Sequence, residues 1–422
     1  MQISRLISTI VLSLSLLFPT VECLGQGADS TRLETIKENA PSVFIDGAVA
    51  ADDYIRTEIN FVNFVWDRTE ADVYILVTTQ NTGGGGIEYT IYFIGQRKYA
   101  NMNDTLKYIS KVSESEDNDR KAGVSVLKMG LLRYVVKTPL AEFIAVNYNP
   151  PVNPAPVVDK WNYWVFKING NIYFNGEESY HYAYFYGQLS ANRVTEQSKI
   201  TLSLWGSYDE QRFNYDGQKS LALSRSKGTS GRVVWSADSH WSAGVSGGVY
   251  SSTYNNMDIE IYAGPAIEYD LFPYSQSTRR LLTFYYRAGA EYVDYGEMTI
   301  YNKIADALTY QRLTVSLKLI QPWGSIETNL YGSSYFYDFA KNQVSLSSEV
   351  SLNLLKGFSF NISGGISRIR DQLSLPKNPP SEQDVFLRRE ELTTKYNYWG
   401  NVGISYSFGS RYNNIVNPRF GN

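Results

Sequence analysis

The chain has 422 residues, and its 39 basic and 42 acidic side chains leave a net charge of −3, so it lacks the cationic excess that gathers nucleic acid. Two histidines and one cysteine make a zinc site improbable, and beyond the first 25 residues no apolar run is long enough for a membrane-spanning helix. With 34 Tyr and 32 Gly and a mean hydropathy of −0.29, the composition suits strands with aromatic ends in which only alternate residues are apolar.

Residues 1–25 read as a secretory signal: Arg5 supplies the positive start, and Leu6 to Phe18 supply the apolar stretch. Glu22 directly before Cys23 argues against lipid attachment. Cleavage after Gly25 or Gly27 would remove Cys23 and leave a chain with no thiol.

Residues 28–148 read as an α/β domain. Ser42–Gly47 is expected to be a buried strand and Asp52–Asp67 a helix, with Asp52 and Asp53 at its positive end. Ala71–Gln80 and Ile87–Gln96 form a hairpin around Gly83–Gly86, Thr105–Lys111 adds a strand, and Lys121–Lys137 is a second helix. The four glycines lack the Lys-Ser/Thr ending of a phosphate-binding loop and join two strands, so they read as a hairpin loop. The order β-α-β-β-β-α-β predicts a sheet covered by two helices. In element order and size this region resembles the periplasmic α/β domains of the translocation protein TolB (its N-terminal part) and of curli-secretion lipoproteins of the CsgG type. The resemblance implies docking to a periplasmic protein partner; the plainer alternative is a small domain that only sits under the C-terminal part of the chain.

Residues 149–158 are a linker, with Pro150, Pro151, Pro154 and Pro156 in or beside its stiff core. From 159 to 409 short stretches of strict alternation recur, as in Gln343–Leu354, where Val344, Leu346, Val350 and Leu352 share one face and Ser345, Ser347, Glu349 and Ser351 the other. Twelve strands are expected, with ten or fourteen as alternatives, beginning near Trp161, Tyr180, Lys199, Ser220, Trp241, Asp258, Leu281, Thr309, Ser325, Gln343, Phe358 and Lys395. Short turns come after the even strands and longer loops after the odd ones, the pattern of a transmembrane antiparallel β-barrel with both termini in the periplasm.

Within that barrel Glu260 and Glu268 fall on one polar wall, and Arg287, Glu291 and Lys318 on neighbouring polar faces; together they predict either a hydrated pore lining or, in so narrow a barrel, an internal plug of salt bridges. Tyr180, Tyr182, Tyr184 and Tyr186 share a face opposite Phe185 and Leu189, so they should point inward and narrow the lumen; a sugar-binding aromatic track is the alternative. Trp235, Trp241 and Trp323 beside the short turns read as the periplasmic aromatic girdle.

Ser179 and His181 share a face near the outer rim and form the one candidate nucleophile and base pair. Twelve-stranded outer-membrane phospholipases also set a His beside a Ser, but order and spacing differ here and no third orienting group is identifiable. His240 reads as structural in its turn, and the acid pairs Asp52–Asp53 and Glu177–Glu178 as a helix start and a loop. Lys395–Phe408 alternates and ends in an aromatic, as the last strand of substrates of the barrel-assembly machinery does, and residues 410–422 form a periplasmic tail after it.

As a whole the chain resembles outer-membrane β-barrel proteins of Gram-negative bacteria that carry an N-terminal periplasmic α/β domain. The expected partners are outer-membrane lipid, the barrel-assembly machinery and a periplasmic protein, with no cofactor, metal or nucleic acid. The expected role is a non-enzymatic anchor or small pore. The alternatives are a phospholipase-like enzyme using Ser179 and His181, and a soluble periplasmic carbohydrate binder.

Overall fold

The computed structural model describes residues 39–49, 53–147, 159–215, 217–355, 357–378 and 391–408. The expected signal segment, the linker 149–158 and the tail 410–422 lie outside these residues.

The N-terminal α/β part runs β1 (Ser42–Gly47), α1 (Asp53–Glu58), β2 (Asn63–Phe64), β3 (Val73–Asn81), β4 (Ile87–Gly95), β5 (Asp104–Ser110) and α2 (Glu116–Val135). Its sheet has the order β2-β1-β3-β4-β5 and is mixed, with β1 parallel to β2 and β3 and the remaining pairs antiparallel. One face carries Val73, Ile75, Val77, Ile91 and Phe93, which bury against Val124, Leu127, Leu131 and Tyr134 of α2. The helix can come this close because Gly130 faces the Phe93 ring; a Cβ there would stand 2.0 Å from Cζ of Phe93. Ser115 caps α2 by accepting from the Asn118 amide, so the helix expected from Lys121 begins a turn earlier, with Glu116, Asp117 and Asp119 in its first turn.

Two expectations for this part are corrected. The helix expected over Asp52–Asp67 ends at Glu58, because Asn63 and Phe64 leave helical spacing to pair in parallel with Ser42 and Val43. Here a ladder with the buried strand β1 overrides the apolar periodicity. The strand expected after the second helix is absent among the described residues; a short 3-10 turn, Pro139–Phe143, stands there instead.

The remainder is a twelve-stranded antiparallel sheet: β6 (Trp164–Gly176), β7 (Tyr180–Val194), β8 (Ser198–Tyr215), β9 (Gln218–Ser236), β10 (Trp241–Ser252), β11 (Met257–Asp270), β12 (Arg280–Tyr295), β13 (Ala305–Gln321), β14 (Gly324–Tyr335), β15 (Asp338–Leu355), β16 (Phe358–Ile369) and β17 (Tyr396–Tyr406). Every strand pairs with its sequence neighbour, so all connections are hairpins. The even-numbered junctions are mostly short as expected, with 271–279 the exception, but so are most of the odd ones: on that side 296–304 is no longer than 271–279, and 370–395 alone is much longer. Instead of long loops, β8 and β9 themselves extend, to 18 and 19 residues, past the turn that joins β10 to β11.

The sheet is not closed into a barrel: β6 and β17 are its two edges and are not paired with each other. Side-chain alternation is the same whether or not a strand's outer edge is bonded, so it reported the two faces and could not report the last ladder. The sheet is nonetheless strongly curled. Laid flat, its strands would span about 53 Å, whereas an α/β part of its size is about 35 Å across. Yet that part touches the sheet near both ends and in the middle: Gly84 lies by Val165 of β6, Tyr92 by Thr278, and Arg68 by Pro322 and Asn353.

Candidate functional site

The two faces of the large sheet differ in character over its middle. Read across paired strands, Ile168, Leu189, Leu204, Thr229, Val249, Ile261 and Tyr292 form one outward row. Most of these side chains are exposed, Ile168 to 81 %. The inward positions between them are polar, and they concentrate charge on β11, β12 and β13.

There Glu291, 7 % exposed, pairs with Arg312 at 3.5 Å, and the Tyr335 phenol stands close by. Arg287 lies directly opposite Arg312 in the β12–β13 ladder, an arrangement of like charges that is unfavourable by itself. Tyrosine rings and carboxylates compensate it. The Arg287 guanidinium stands 5.0 Å from the Tyr262 ring and 5.4 Å from the Tyr310 ring, and that of Arg312 stands 4.2 Å from Tyr310. Tyr310, 1 % exposed, has room only because Gly289 faces it; a Cβ at Gly289 would meet its Cζ and Oη at 2.7 Å. Glu260 sits on the same inward face of β11, two residues from Tyr262.

Further chain packs at both rims of this sheet. On the rim formed by the β6–β7, β8–β9, β10–β11, β12–β13 and β14–β15 connections, the segment 370–378 lies against the β10–β11, β12–β13 and β14–β15 side. The Asn256 side chain donates to the Ser374 carbonyl at 2.7 Å, the Ile300 amide to Leu375, and Thr299 bridges to Pro376. Leu373, Ser374, Leu375 and Thr299 are buried as a result, and Asp371 accepts from Ser333 above the charged cluster.

On the opposite rim lies the α/β part. The face of its sheet turned away from α2 carries Tyr74, Leu76, Thr78 and Thr90, all buried. Arg68 fixes the contact by donating to the carbonyls of Pro322, at 2.6 Å, and Asn353, at 2.9 Å. Tyr92 shares a hydrogen bond with Thr278 at 2.9 Å under the Arg279 guanidinium, and Trp66 packs by Gly357. Tyr74 donates to Asp46 at 2.6 Å; burial, and then that carboxylate, push its phenol far above the usual range.

Of the residues singled out from sequence, Glu260, Arg287 and Glu291 are brought together. Glu268 is not with them: it lies lower on β11, accepts from Tyr274 at 3.1 Å, and lines a separate cavity of about 180 Å³ with Lys199, Arg232 and Tyr285. Lys318 faces inward too, opposite Glu327, but six residues along β13 from Arg312. Tyr180, Tyr182, Tyr184 and Tyr186 are all less exposed than Phe185 between them; Tyr182 donates to Asp209 at 2.8 Å, and Tyr180 packs on Phe213. Trp235, Trp241 and Trp323 are exposed on the rim that holds the α/β part, Trp241 against Tyr269. The Ser179 hydroxyl donates to Glu177, while the ring of His181 lies beside Gly176 on the outward face. His240 is held by the carbonyl of Asp270 at 2.7 Å. Among the described residues no group of three or more His, Cys, Asp or Glu is placed to hold a metal ion.

Arg312, Tyr262, Tyr310, Tyr335 and Asp371 belong to the cluster but were not singled out from sequence. Arg312 could have been, since it shares the alternating face of Lys318 within one strand. The tyrosines could not, because their role depends on which residues the ladders set beside them. The chain matches no protein-family model and no curated protein.

Proposed function

We propose that the chain is a non-enzymatic outer-membrane protein: a twelve-stranded barrel that anchors it, plugged inside, with a periplasmic α/β domain that docks a partner protein. The observation that carries this reading is the contrast of faces. An apolar, exposed outward surface backed by a charged interior suits lipid outside and a polar lumen inside, and it suits no soluble protein of this size.

In this reading β6 and β17 pair to close the barrel. An even number of hairpin-connected strands sets the two edges antiparallel, and unpaired backbone in hydrocarbon costs several kcal/mol per group, so the bilayer itself favours closure. The rim that carries the α/β part is then periplasmic, with Trp235, Trp241 and Trp323 at the interface. The cluster around Arg287 and Arg312, with the α/β part seated on one rim and the segment 370–378 on the other, favours the plugged anchor over a conducting pore. The side of the α/β domain away from the barrel, where Met129 of α2 and Val136 just after it are exposed, is free to meet a partner. The secretory leader and the assembly machinery belong to the same proposal.

The test is planar-bilayer conductance of refolded protein whose gel mobility is heat-modifiable. Silence from a folded barrel is expected. Steady discrete current steps would refute the plug, and a protein that stays soluble without detergent would refute the membrane reading.

A further inference from the structure

Outward-facing charge on the large sheet is unevenly placed. Above the apolar row that begins at Ile168 and Leu189, the next outward row sets Lys227 between Gly206 and Ser251, and the row above it sets Arg225 opposite Tyr208. Arg225 and Lys227 are both exposed, and each is two residues from the next outward position, about 7 Å along β9. Neither has a carboxylate within ion-pair distance among the described residues. The nearest outward acid, Glu210, is already engaged by Arg212 and Tyr208. The Tyr208 ring holds the Arg225 guanidinium at 5.6 Å, which orders the cation without neutralising it.

We propose that Arg225 and Lys227 form a binding site for the phosphate of an anionic membrane lipid. Two unpaired cations directly above a continuous apolar surface match, in order and spacing, a phosphate directly above acyl chains. Arg225 supplies a planar fork for two phosphate oxygens and Lys227 a second, mobile charge. Arg212, tied to Glu210, borders the site and sets its upper edge. The site rests on the membrane reading above, since only in a bilayer does this outward surface meet lipid.

The experiment is native mass spectrometry of the full chain in detergent, titrated with phosphatidylglycerol or phosphatidylcholine. The unsubstituted chain should retain phosphatidylglycerol in preference, and an Arg225→Ala/Lys227→Ala double variant should lose that retention about tenfold, given the modest worth of each exposed charge near a lipid surface. Lys341→Ala, which removes a cation elsewhere on the same rim, should retain the lipid as the unsubstituted chain does. Equal retention by the double variant would overturn the site. Displacement of the lipid by inorganic phosphate at equal phosphate concentration would overturn the headgroup assignment in favour of a free-anion site. Heat-modifiable mobility in vesicles separates the two ideas: a double variant that inserts and still retains lipid sinks only the site, whereas a chain that never enters vesicles sinks both.

Discussion

Replacing Arg68 by alanine should undock the α/β domain from the sheet. This guanidinium donates to two carbonyls on different elements, Pro322 in the β13–β14 turn and Asn353 near the end of β15, so its loss leaves two partly buried acceptors without a charged donor. At about 1–2 kcal/mol for each such charge-assisted bond in a partly exposed setting, the docked state should weaken by about 2–4 kcal/mol. That is roughly 30-fold or more in the undocking equilibrium. Hydrogen exchange of the full chain reads it directly. Amides of β3 and β4, whose Tyr74, Leu76, Thr78 and Thr90 are covered at this contact, should lose protection together with the turns at 322–323 and 353–357. Lys121→Ala, which breaks only the exposed pair with Asp117, serves as the control. Unchanged exchange at β3 and β4 in Arg68→Ala would refute the claim that this one side chain clamps the domain.

Further outcomes rest on single contacts. Gly289→Val should destabilise the large sheet by about 1–3 kcal/mol, because its side chain meets the Tyr310 ring, and should lower the temperature at which gel mobility changes. Glu291→Gln should cost about 3 kcal/mol by leaving Arg312 and Arg287 facing each other with one carboxylate fewer; a variant as heat-stable as the parent would show the pair to be solvated. The Tyr134 phenol is pushed up to about 12 by burial, and Tyr108 is raised further by burial as well. A raised pKa means stability that is fully present below the unfolded value of 10.0 and lost as pH climbs through the folded value. The α/β domain should therefore hold to pH 10 and unfold between about 10 and 12, monitored by far-ultraviolet circular dichroism, and Tyr134→Phe should flatten that slope. Gly130→Leu should separate α2 from Phe93 and melt the α/β domain while leaving the large sheet intact.

The large sheet was legible in the sequence because its signal is local and repeated. Each strand alternates within itself, and the twelve starts fall within five residues of those expected. What alternation cannot carry is anything set by a neighbour. It placed Glu260, Arg287 and Glu291 on polar faces, but the ladders decide that Glu291 meets Arg312 while Glu268 turns to Tyr274. It joined Ser179 and His181 by shared parity, whereas the tight turn at 177–179 sends the hydroxyl to Glu177. In the α/β part the strongly apolar β1, β3 and β4 were plain, but β2 is only two residues long, and the run from Ile59 to Val65 keeps helical spacing while its middle pairs with β1. The seating of the α/β part on the sheet had no signal at all, since Arg68 reads in sequence as one more surface cation.

The charged interior also bears on the proposed barrel. Filling the lumen with apolar side chains would avoid the desolvation that Arg287, Arg312 and Glu291 each incur. It would also make both faces of every strand apolar, and a strand apolar on both faces has no preferred register. A slip of one residue along β12 would then exchange outward Phe284 and Tyr286 for inward Tyr285 and Arg287 at little cost. With guanidinium and carboxylate groups inside, the same slip would turn charge onto the outward surface, which a bilayer resists by about 2–4 kcal/mol for each residue near its middle. The cluster therefore fixes the register of β11, β12 and β13 whether or not any solute passes. The arginines of this network stack on Tyr262 and Tyr310, and Arg312 pairs with Glu291, but among the described residues Arg287 Nε and Nη2 and Tyr310 Oη are buried without a hydrogen-bond partner, so not every donor of the cluster is used. On the proposed reading the cluster serves as a plug, and the exposed surfaces of the α/β domain and the outward cations of β9 are where the protein would meet other molecules.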